Sequence, residues 1–340
     1  MIDPAIAQVP PEPTVPDSNS RYLQRIAYSA KVFRFTLRAA GIVLLIVQIV
    51  KAFISAAEGE GFITLSIASA SAIAILAIIA SKPPILENAI AKFARKLRTP
   101  RFNRSVYIFP LILTALILLV KILVGPTSEQ WRYMSSEGSL SEYGTAIAYF
   151  LMLVFTYPIA KQFKRQGQRL MSTVYWILTA AAFFVGMEEI SWGQRLLGYE
   201  EPEFWSKHNV QSEFTFHNFG FFQEHLLHLS FIVVGFIGSF CWIALRYWQR
   251  RQEDKSISHS NDPLSRRLDL NYILPDWPIS SFFYPVLIFY IVIDTQLRDR
   301  YEFLKSADQE HWEFVMSLGI LLFFVICFFR QAREGDIQKP

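Results

Sequence analysis

The chain has 340 residues, of which 52% are hydrophobic and 15% aromatic, and its mean hydropathy is positive at +0.26. Several uninterrupted apolar runs are long enough to cross a bilayer, which excludes an ordinary soluble domain. The net charge of +4 comes from basic residues in short loops between those runs, so we expect no nucleic-acid partner. The two cysteines, Cys241 and Cys327, fall inside predicted spans, which excludes a disulfide framework.

The N-terminal residues predict a disordered tail. Residues 1–20 carry five prolines and few apolar side chains, so they cannot bury enough surface to fold alone. No charged segment followed by an apolar segment and a small-residue cleavage site is visible, so no cleaved signal peptide is predicted. We assign residues 1–25 to a Pro-rich cytoplasmic tail and residues 26–335 to a single transmembrane helical domain.

Eight apolar segments predict an all-α fold, a polytopic bundle of transmembrane helices. They are residues 33–56, 61–81, 106–125, 145–161, 171–190, 224–246, 279–297 and 312–330. Lysine and arginine number 25 in the loops and tails on one side and six in the loops on the other. This imbalance in short loops predicts that both termini lie in the cytoplasm. Lys51 and Lys121 lie near the outer ends of predicted spans, from which their long side chains are expected to reach the interface.

The stretch from Gly186 to His228 is the most polar part of the outer side. It reads GMEEISWGQRLLGYEEPEFWSKHNVQSEFTFHNFGFFQEHLLH and carries four histidines and two tryptophans between two apolar helices. Residues 191–222 predict an outer-face element, in which Trp205 lies at the headgroup level and Pro202 begins a short helix.

The helical rise predicts that ionisable residues of four spans lie at a similar depth in the membrane. At about 1.5 Å per helical residue, Glu188 lies about 26 Å from the inner end of its span, Glu313 about 25 Å and Asp294 about 22 Å. His228 lies near the outer end of the sixth span. Charged groups at that depth are costly, so they are expected to face protein or a wet cavity.

The histidines of this stretch predict a metal site. His225 and His228 are three residues apart and share a helix face, and His217 lies just before that helix. Imidazole and carboxylate ligands together suit zinc, iron or manganese. The order EHxxH differs from the HExxH of zinc proteases. The alternative is a polar network that only seals the helix ends.

The two adjacent acids Glu188 and Glu189 are candidate catalytic residues, because two neighbouring carboxyls at a buried helix end cannot both face water. Trp192 and Arg195 are expected to continue the same helix. Arg195 then lies seven residues beyond Glu188 on nearly the same face, where it can hold a lipid phosphate. We therefore predict that Trp192 and Arg195 bind substrate.

The run EEISWGQRLLGYEEPEFWSKHNVQSEFTFHN resembles a motif in a family of uncharacterised bacterial multi-pass membrane proteins. The resemblance covers chiefly residues 186–230 and implies a bacterial cell membrane, with no established activity. A fainter similarity is to the alkaline ceramidase group of intramembrane hydrolases, in which acidic, serine and histidine residues surround a metal. It implies such roles for five residues, with Ser191 catalytic and Asp294 a metal ligand: Glu188, Ser191, His225, His228 and Asp294. The paired histidines depart from that group, being three rather than four residues apart.

Three functions remain open from the sequence. The first is an intramembrane hydrolase of a lipid or lipid-linked substrate, in which a metal-bound water attacks and Glu188 or Glu189 is the general base. The second is an assembly or scaffold protein whose aromatic outer surface binds a membrane-protein partner. The third is a proton-coupled transporter, in which the carboxylates and histidines form a relay. The sequence shows neither a broken span near the midplane nor an inverted repeat, which counts against this function.

Overall fold

A computed structural model gives the fold, which is 89% helical, with no strand among the residues described. The residues described are 18–57, 71–72, 74–75, 78–79, 81–97, 99–135, 139–194, 205, 214–216, 226–257, 269–297, 301–304 and 308–334. The all-α prediction is therefore confirmed over this part of the chain.

Nine α-helices are distinguished among the described residues. They are α1 (Ser18–Ala57), α2 (Pro83–Lys96), α3 (Pro100–Val124), α4 (Glu129–Ser135), α5 (Leu140–Arg165), α6 (Arg169–Glu189), α7 (His228–Ile257), α8 (Tyr284–Ile288) and α9 (Gln309–Glu334). Short 3-10 turns occur at Ser191–Gly193, Leu270–Tyr272, Trp277–Phe282 and Glu302–Leu304, and α8 continues as a π-helix over Phe289–Leu297. Helix α1 begins inside the stretch predicted to be a tail.

Five helical segments among the described residues are long and apolar enough to cross a membrane. They are Pro100–Val124, Glu129–Arg165, Arg169–Glu189, His228–Arg251 and Gln309–Gln331. A bent pair, Leu270–Phe282 with Tyr284–Ile293, counts as a sixth if it is one span. These segments match the third to eighth predicted spans. The first predicted span lies within α1. Much of the second predicted span, including residues 61–70, lies outside the described residues.

The chain divides into two compact units. One comprises residues 1–95 and 329–340. In it Gly41 packs so closely against Ile78 that a side chain at position 41 would have its Cβ only 2.7 Å from Ile78 Cγ1. The other comprises residues 96–328 and contains all the polar groups discussed below.

The hairpin of α5 and α6 positions one side of these polar groups. Gly167 joins the two helices with a φ of +74°, a left-handed conformation that glycine adopts without strain. Near this turn, the Ser172 hydroxyl donates to the carbonyl of Ala160 at 3.0 Å. Further along, Gly186 packs against the ring of Phe150. The antiparallel pairing therefore brings the beginning of α5 beside the end of α6.

The bent segment is the main departure from the straight spans predicted. Its two halves meet at 75°, beside Phe283. The Phe283 ring fills the space over Gly238 of α7, and Phe282 lies against Gly319 of α9. Each glycine is ten residues, or about 15 Å, from the first residue of its helix. The bend thus lies well inside the two helices it packs against, in a segment for which the sequence predicted one unbroken span.

Burial separates a peripheral helix from a central one. Only 17% of the apolar window of α3 is buried within the protein, whereas 61% of that of α9 is. The exposed side chains of α3 are long and apolar, including Ile112, Leu116 and Leu123. A helix of this composition requires apolar surroundings, so lipid or another apolar surface covers α3.

Candidate functional site

A layer of four glutamates occupies one end of the long helices. We call it the carboxyl centre: Glu142 of α5, Glu189 of α6, and Glu310 and Glu313 of α9. Glu189 interacts electrostatically with the other three, and Glu313 with Glu142 and Glu310. The hydroxyl of Tyr149 interacts with both Glu189 and Glu313. The end of the helices at which Glu188 and Glu313 were predicted to lie therefore carries interacting carboxyls from α5, α6 and α9.

Tyr290 and His228 border the carboxyl centre. The Tyr290 hydroxyl donates to Glu313 Oε1 at 3.0 Å. The Tyr290 ring stacks on Phe231 of α7, with 4.8 Å between centroids and 6° between planes. The ring of His228 is 5.2 Å from that of Tyr290. Both predicted residues are thus linked to the Tyr290–Glu313 pair, His228 through the Tyr290 ring and Glu189 through Glu313.

Glu188 has a different environment from Glu189. Its Oε1 accepts from the indole Nε1 of Trp192, and its Oε2 accepts from the backbone N–H of Phe216 at 2.7 Å. Nearby, Gln194 Oε1 accepts from the backbone N–H of Phe214 at 2.6 Å. These bonds hold residues 214–216 against the end of α6. Because both Glu188 oxygens accept hydrogen bonds, the side chain serves as an anchor for this segment.

The chain after α6 turns sharply instead of continuing the helix as predicted. Ser191, Trp192 and Gly193 have φ values of 48°, 53° and 86°. Left-handed backbone costs a non-glycine residue about 1–2 kcal/mol. The bond from Trp192 to Glu188 and the complete burial of Ser191 hold this conformation in place. The helical spacing that would align Arg195 with Glu188 therefore does not apply.

Aromatic rings cover this anchor. Trp192 is 5.7 Å from Phe184 of α6, between ring centroids, and 6.5 Å from Phe216. Trp205 is 5.4 Å from Phe216 and 4.7 Å from Phe214. Trp205, expected at the headgroup level, thus packs against the segment that Glu188 holds.

A buried ion pair lies at the same end of the helices. Lys121 of α3 is fully buried, and its Nζ is 2.5 Å from Asp308 Oδ2. The other oxygen of Asp308 accepts from Trp131 Nε1 at 3.1 Å. The Lys121 Nζ also lies 4.4 Å from the centroid of Phe303. The expectation that Lys121 extends to the interface was wrong, because an acidic partner 187 positions away neutralises it within the protein.

His311 connects this pair to the beginning of α5. Its Nδ1 is 2.6 Å from Ser141 Oγ, and its Nε2 is 3.4 Å from Ser135 Oγ. The ring packs against Trp131, with centroids 5.0 Å apart. His311 is buried, whereas Ser141 is partly exposed. Within the described residues, two hydroxyls thus flank one imidazole.

The predicted site residues are only partly described. Glu188, Glu189, Ser191, Trp192 and His228 lie as given above. Arg195, His217 and His225, and the side chain of Asp294, lie outside the described residues. Within the described part, no group of three or more His, Cys, Asp or Glu side chains is arranged to hold a metal ion. The metal site remains a prediction.

The sequence-based site omitted several residues that the structure brings together. Glu142 could have been found, because it lies at the outer end of its span and the same depth arithmetic applies to it. Tyr290, Asp308 and Ser141 carry no such signal, since their importance depends on partners distant in the chain.

Comparison of the chain with protein-family models, with curated proteins and with solved structures finds no match. The resemblances carried by residues 186–230 therefore remain predictions.

Proposed function

We propose that this protein is an intramembrane hydrolase that acts on a lipid or lipid-linked substrate at the outer boundary of a bacterial cell membrane. The observation that supports it most is the carboxyl centre with Tyr290 and His228. Ionisable residues inside membrane spans are rare and typically functional. Carboxyl, phenol and imidazole groups are also the side chains that transfer protons in catalysis.

In this proposal the chain crosses the membrane eight times, with both termini in the cytoplasm. The basic residues that end α5 and begin α6, Arg165 and Arg169, are then on the cytoplasmic side. The carboxyl centre is at the other end of the same helices, on the outer side. Glu189 or Glu313 serves as general base, while Glu188 maintains the neighbouring segment.

The proposed metal is zinc, iron or manganese, held by His217, His225, His228 and Asp294. When bound, it would polarise the substrate and lower the proton affinity of a water. Elemental analysis of the purified protein is expected to give about one metal per chain, lost in His225→Ala and His228→Ala variants that remain folded. Metal-free protein after supplementation with all three ions would eliminate the metal but leave acid–base chemistry by the carboxyls.

The hydrolase proposal is tested in vesicles of phosphatidylethanolamine, phosphatidylglycerol and cardiolipin containing the purified protein. Mass spectrometry should detect a hydrolysed lipid, and Glu313→Gln and Glu189→Gln should each reduce its formation by about a hundredfold or more. Glu129→Gln is the matched control, because Glu129 is an exposed acid of α4 outside the centre. Full activity in both centre variants would contradict a catalytic role of the carboxyl centre, and no product from the unmodified protein would contradict the hydrolase itself.

A proton-coupled transporter is the second candidate, and the bent segment favours it. Transporters typically bind substrate where a span is interrupted near mid-depth. The bend beside Phe283 and the π-helix that follows α8 both interrupt regular α-helix in this segment. Proton uptake into vesicles driven by an imposed membrane potential, abolished by Glu313→Gln without lipid hydrolysis, would favour this candidate over the hydrolase.

A further inference from the structure

The contacts around His311 favour one tautomer of its ring. With its proton directed to the carbonyl of Trp131, at 2.9 Å, Ser135 Oγ presents a lone pair to Nε2 of His311, which is 3.4 Å away. Nε2 of His311 is then the nitrogen that carries hydrogen. In a neutral imidazole the other nitrogen is an acceptor, so Nδ1 accepts from the Ser141 hydroxyl at 2.6 Å.

This arrangement sets Ser141 apart from other hydroxyl residues of α5. Thr145 and Thr156 each donate to the backbone carbonyl four residues earlier, at 3.0 Å. Such bonds are the usual way for a helix to satisfy a hydroxyl. Ser141 Oγ instead meets an imidazole that is oriented by a second hydroxyl. A serine and a base within hydrogen-bond distance, with the base oriented by a third group, is the arrangement of an activated nucleophile.

The surroundings of Ser141 suit an apolar substrate. Ser141 is in the first turn of α5, a 26-residue helix, where backbone N–H groups lack intrahelical acceptors and favour developing negative charge. The residue before it, Leu140, is 80% exposed, and Tyr143 is also exposed. Exposed apolar side chains thus lie at the beginning of α5, next to the partly exposed Ser141.

We propose that Ser141 is a catalytic nucleophile, activated by His311, that cleaves a carboxylic ester of a lipid. The inference rests on the proposed hydrolase function and names its nucleophile and its bond. Within that function, the hydroxyl of Ser141 supplies the attacking oxygen in place of a metal-bound water, and His311 replaces Glu189 or Glu313 as the general base. Ser135 is a positioning residue that acts through the His311 ring.

The chemistry proceeds in two balanced steps. Ser141 Oγ bonds to the carbonyl carbon while His311 Nδ1 takes the hydroxyl proton. The bond to the alcohol oxygen then breaks, and the alcohol leaves with that proton. Water attacks the acyl-serine and gives a proton to Nδ1, and Ser141 recovers this proton as the carboxylic acid is released.

A fluorophosphonate probe carrying a fluorophore tests the nucleophile without knowledge of the substrate. Attack forms an Oγ–phosphorus bond and expels fluoride, which leaves a stable adduct. In the purified full-length protein, peptide mass spectrometry should locate the adduct on Ser141. Ser141→Ala should abolish it, and His311→Gln should slow labelling by about a hundredfold or more. Ser230→Ala, the control, should label normally, because Ser230 is exposed and donates to the carbonyl of Leu226.

Ser135 supplies a test that general damage to the fold would not imitate. Ser135→Ala should slow labelling severalfold, and Ser135→Thr, which keeps a hydroxyl, should restore it. Thermal unfolding of each variant shows whether the fold is intact.

The two proposals fail in different ways. An unlabelled Ser141 in protein that hydrolyses lipid, with activity unchanged in Ser141→Ala, would overturn the nucleophile and leave the hydrolase standing. Labelling of Ser141 that is unaffected by His311→Gln would overturn the role of His311. Labelling that requires His311, in protein with no lipid hydrolysis, would support the nucleophile and contradict the lipid substrate.

Discussion

Two groups of carboxyl side chains lie at the same end of this molecule and have different partners. Asp308 has an ammonium from Lys121 and an indole N–H from Trp131, so its charge is neutralised and its oxygens are bonded. Glu189 instead interacts with the carboxyls of Glu142, Glu310 and Glu313 and with the hydroxyl of Tyr149. A neutralised pair can be explained by structure alone. A cluster of carboxyls from three helices is the kind of group that transfers protons in catalysis, and we infer that this cluster is kept for function.

Glu188 shows that this difference does not follow from sequence position. Glu188 and Glu189 are consecutive in α6, and consecutive helical residues point about 100° apart. One carboxyl consequently anchors residues 214–216, and the other enters the carboxyl centre. The comparison predicts that variants of the bonded groups lose stability, whereas variants of the carboxyl centre lose activity.

The largest loss of stability is expected for Lys121→Met. It leaves Asp308 buried without its cation, which typically costs about 3–5 kcal/mol. Unfolding in mixed detergent micelles, followed by tryptophan fluorescence, measures it. Lys161→Met is the control, because Lys161 is exposed beside Tyr157 and should change stability by less than about 1 kcal/mol.

The double variant Lys121→Met, Asp308→Asn distinguishes a paired charge from simple loss of packing. Removing both charges should recover a good part of the lost stability, since no uncompensated ion is then buried. If the double variant were less stable than Lys121→Met alone, the ion pair would not be the source of the effect.

Glu188→Gln should have an intermediate effect. The amide keeps one oxygen as an acceptor, so either Trp192 Nε1–H or the Phe216 N–H loses its partner. An unsatisfied buried donor costs about 1–3 kcal/mol. The same unfolding experiment measures this, with Glu129→Gln expected to differ little from the unmodified protein. An equal, negligible change in both variants would remove the anchor role of Glu188.

The long apolar runs made the helical fold predictable, because a span requires about 20 apolar residues and every backbone group bonded within it. The level of Glu188 and Glu313 followed from helical rise alone. The bend beside Phe283 was not predictable, since it depends on rings packing over Gly238 and Gly319 of other helices. Apolar sequence permits such a bend without requiring it.

The site was less predictable than the fold because its partners are distant in the sequence. Lys121 and Asp308 are 187 positions apart, and Ser141 and His311 are 170 apart. A single sequence gives geometric information only about residues close together in the chain, such as those on one helix face. That information pointed to residues 186–228. The left-handed turn at Ser191 and Trp192 was also hidden, because glycine alone usually marks such backbone and only Gly193 is present there.

Glu313→Gln is expected to affect stability least, and it separates the two kinds of buried charge most clearly. The amide has nearly the shape of the carboxyl and can still accept from the Tyr290 hydroxyl, while one member of the carboxyl centre is removed. Stability should therefore change by less than about 1 kcal/mol or increase, although the proposed activity falls by about a hundredfold or more.

A polar network that only seals the helix ends predicts the opposite result for Glu313→Gln. If Glu313 accepted several structurally important hydrogen bonds, the variant would lose about 1–3 kcal/mol, as expected for Glu188→Gln. Parallel unfolding measurements on the two variants decide between these roles. Equal destabilisation would make Glu313 an anchor like Glu188, whereas an unchanged stability with lost activity would identify the carboxyl centre as the part of this end that performs chemistry.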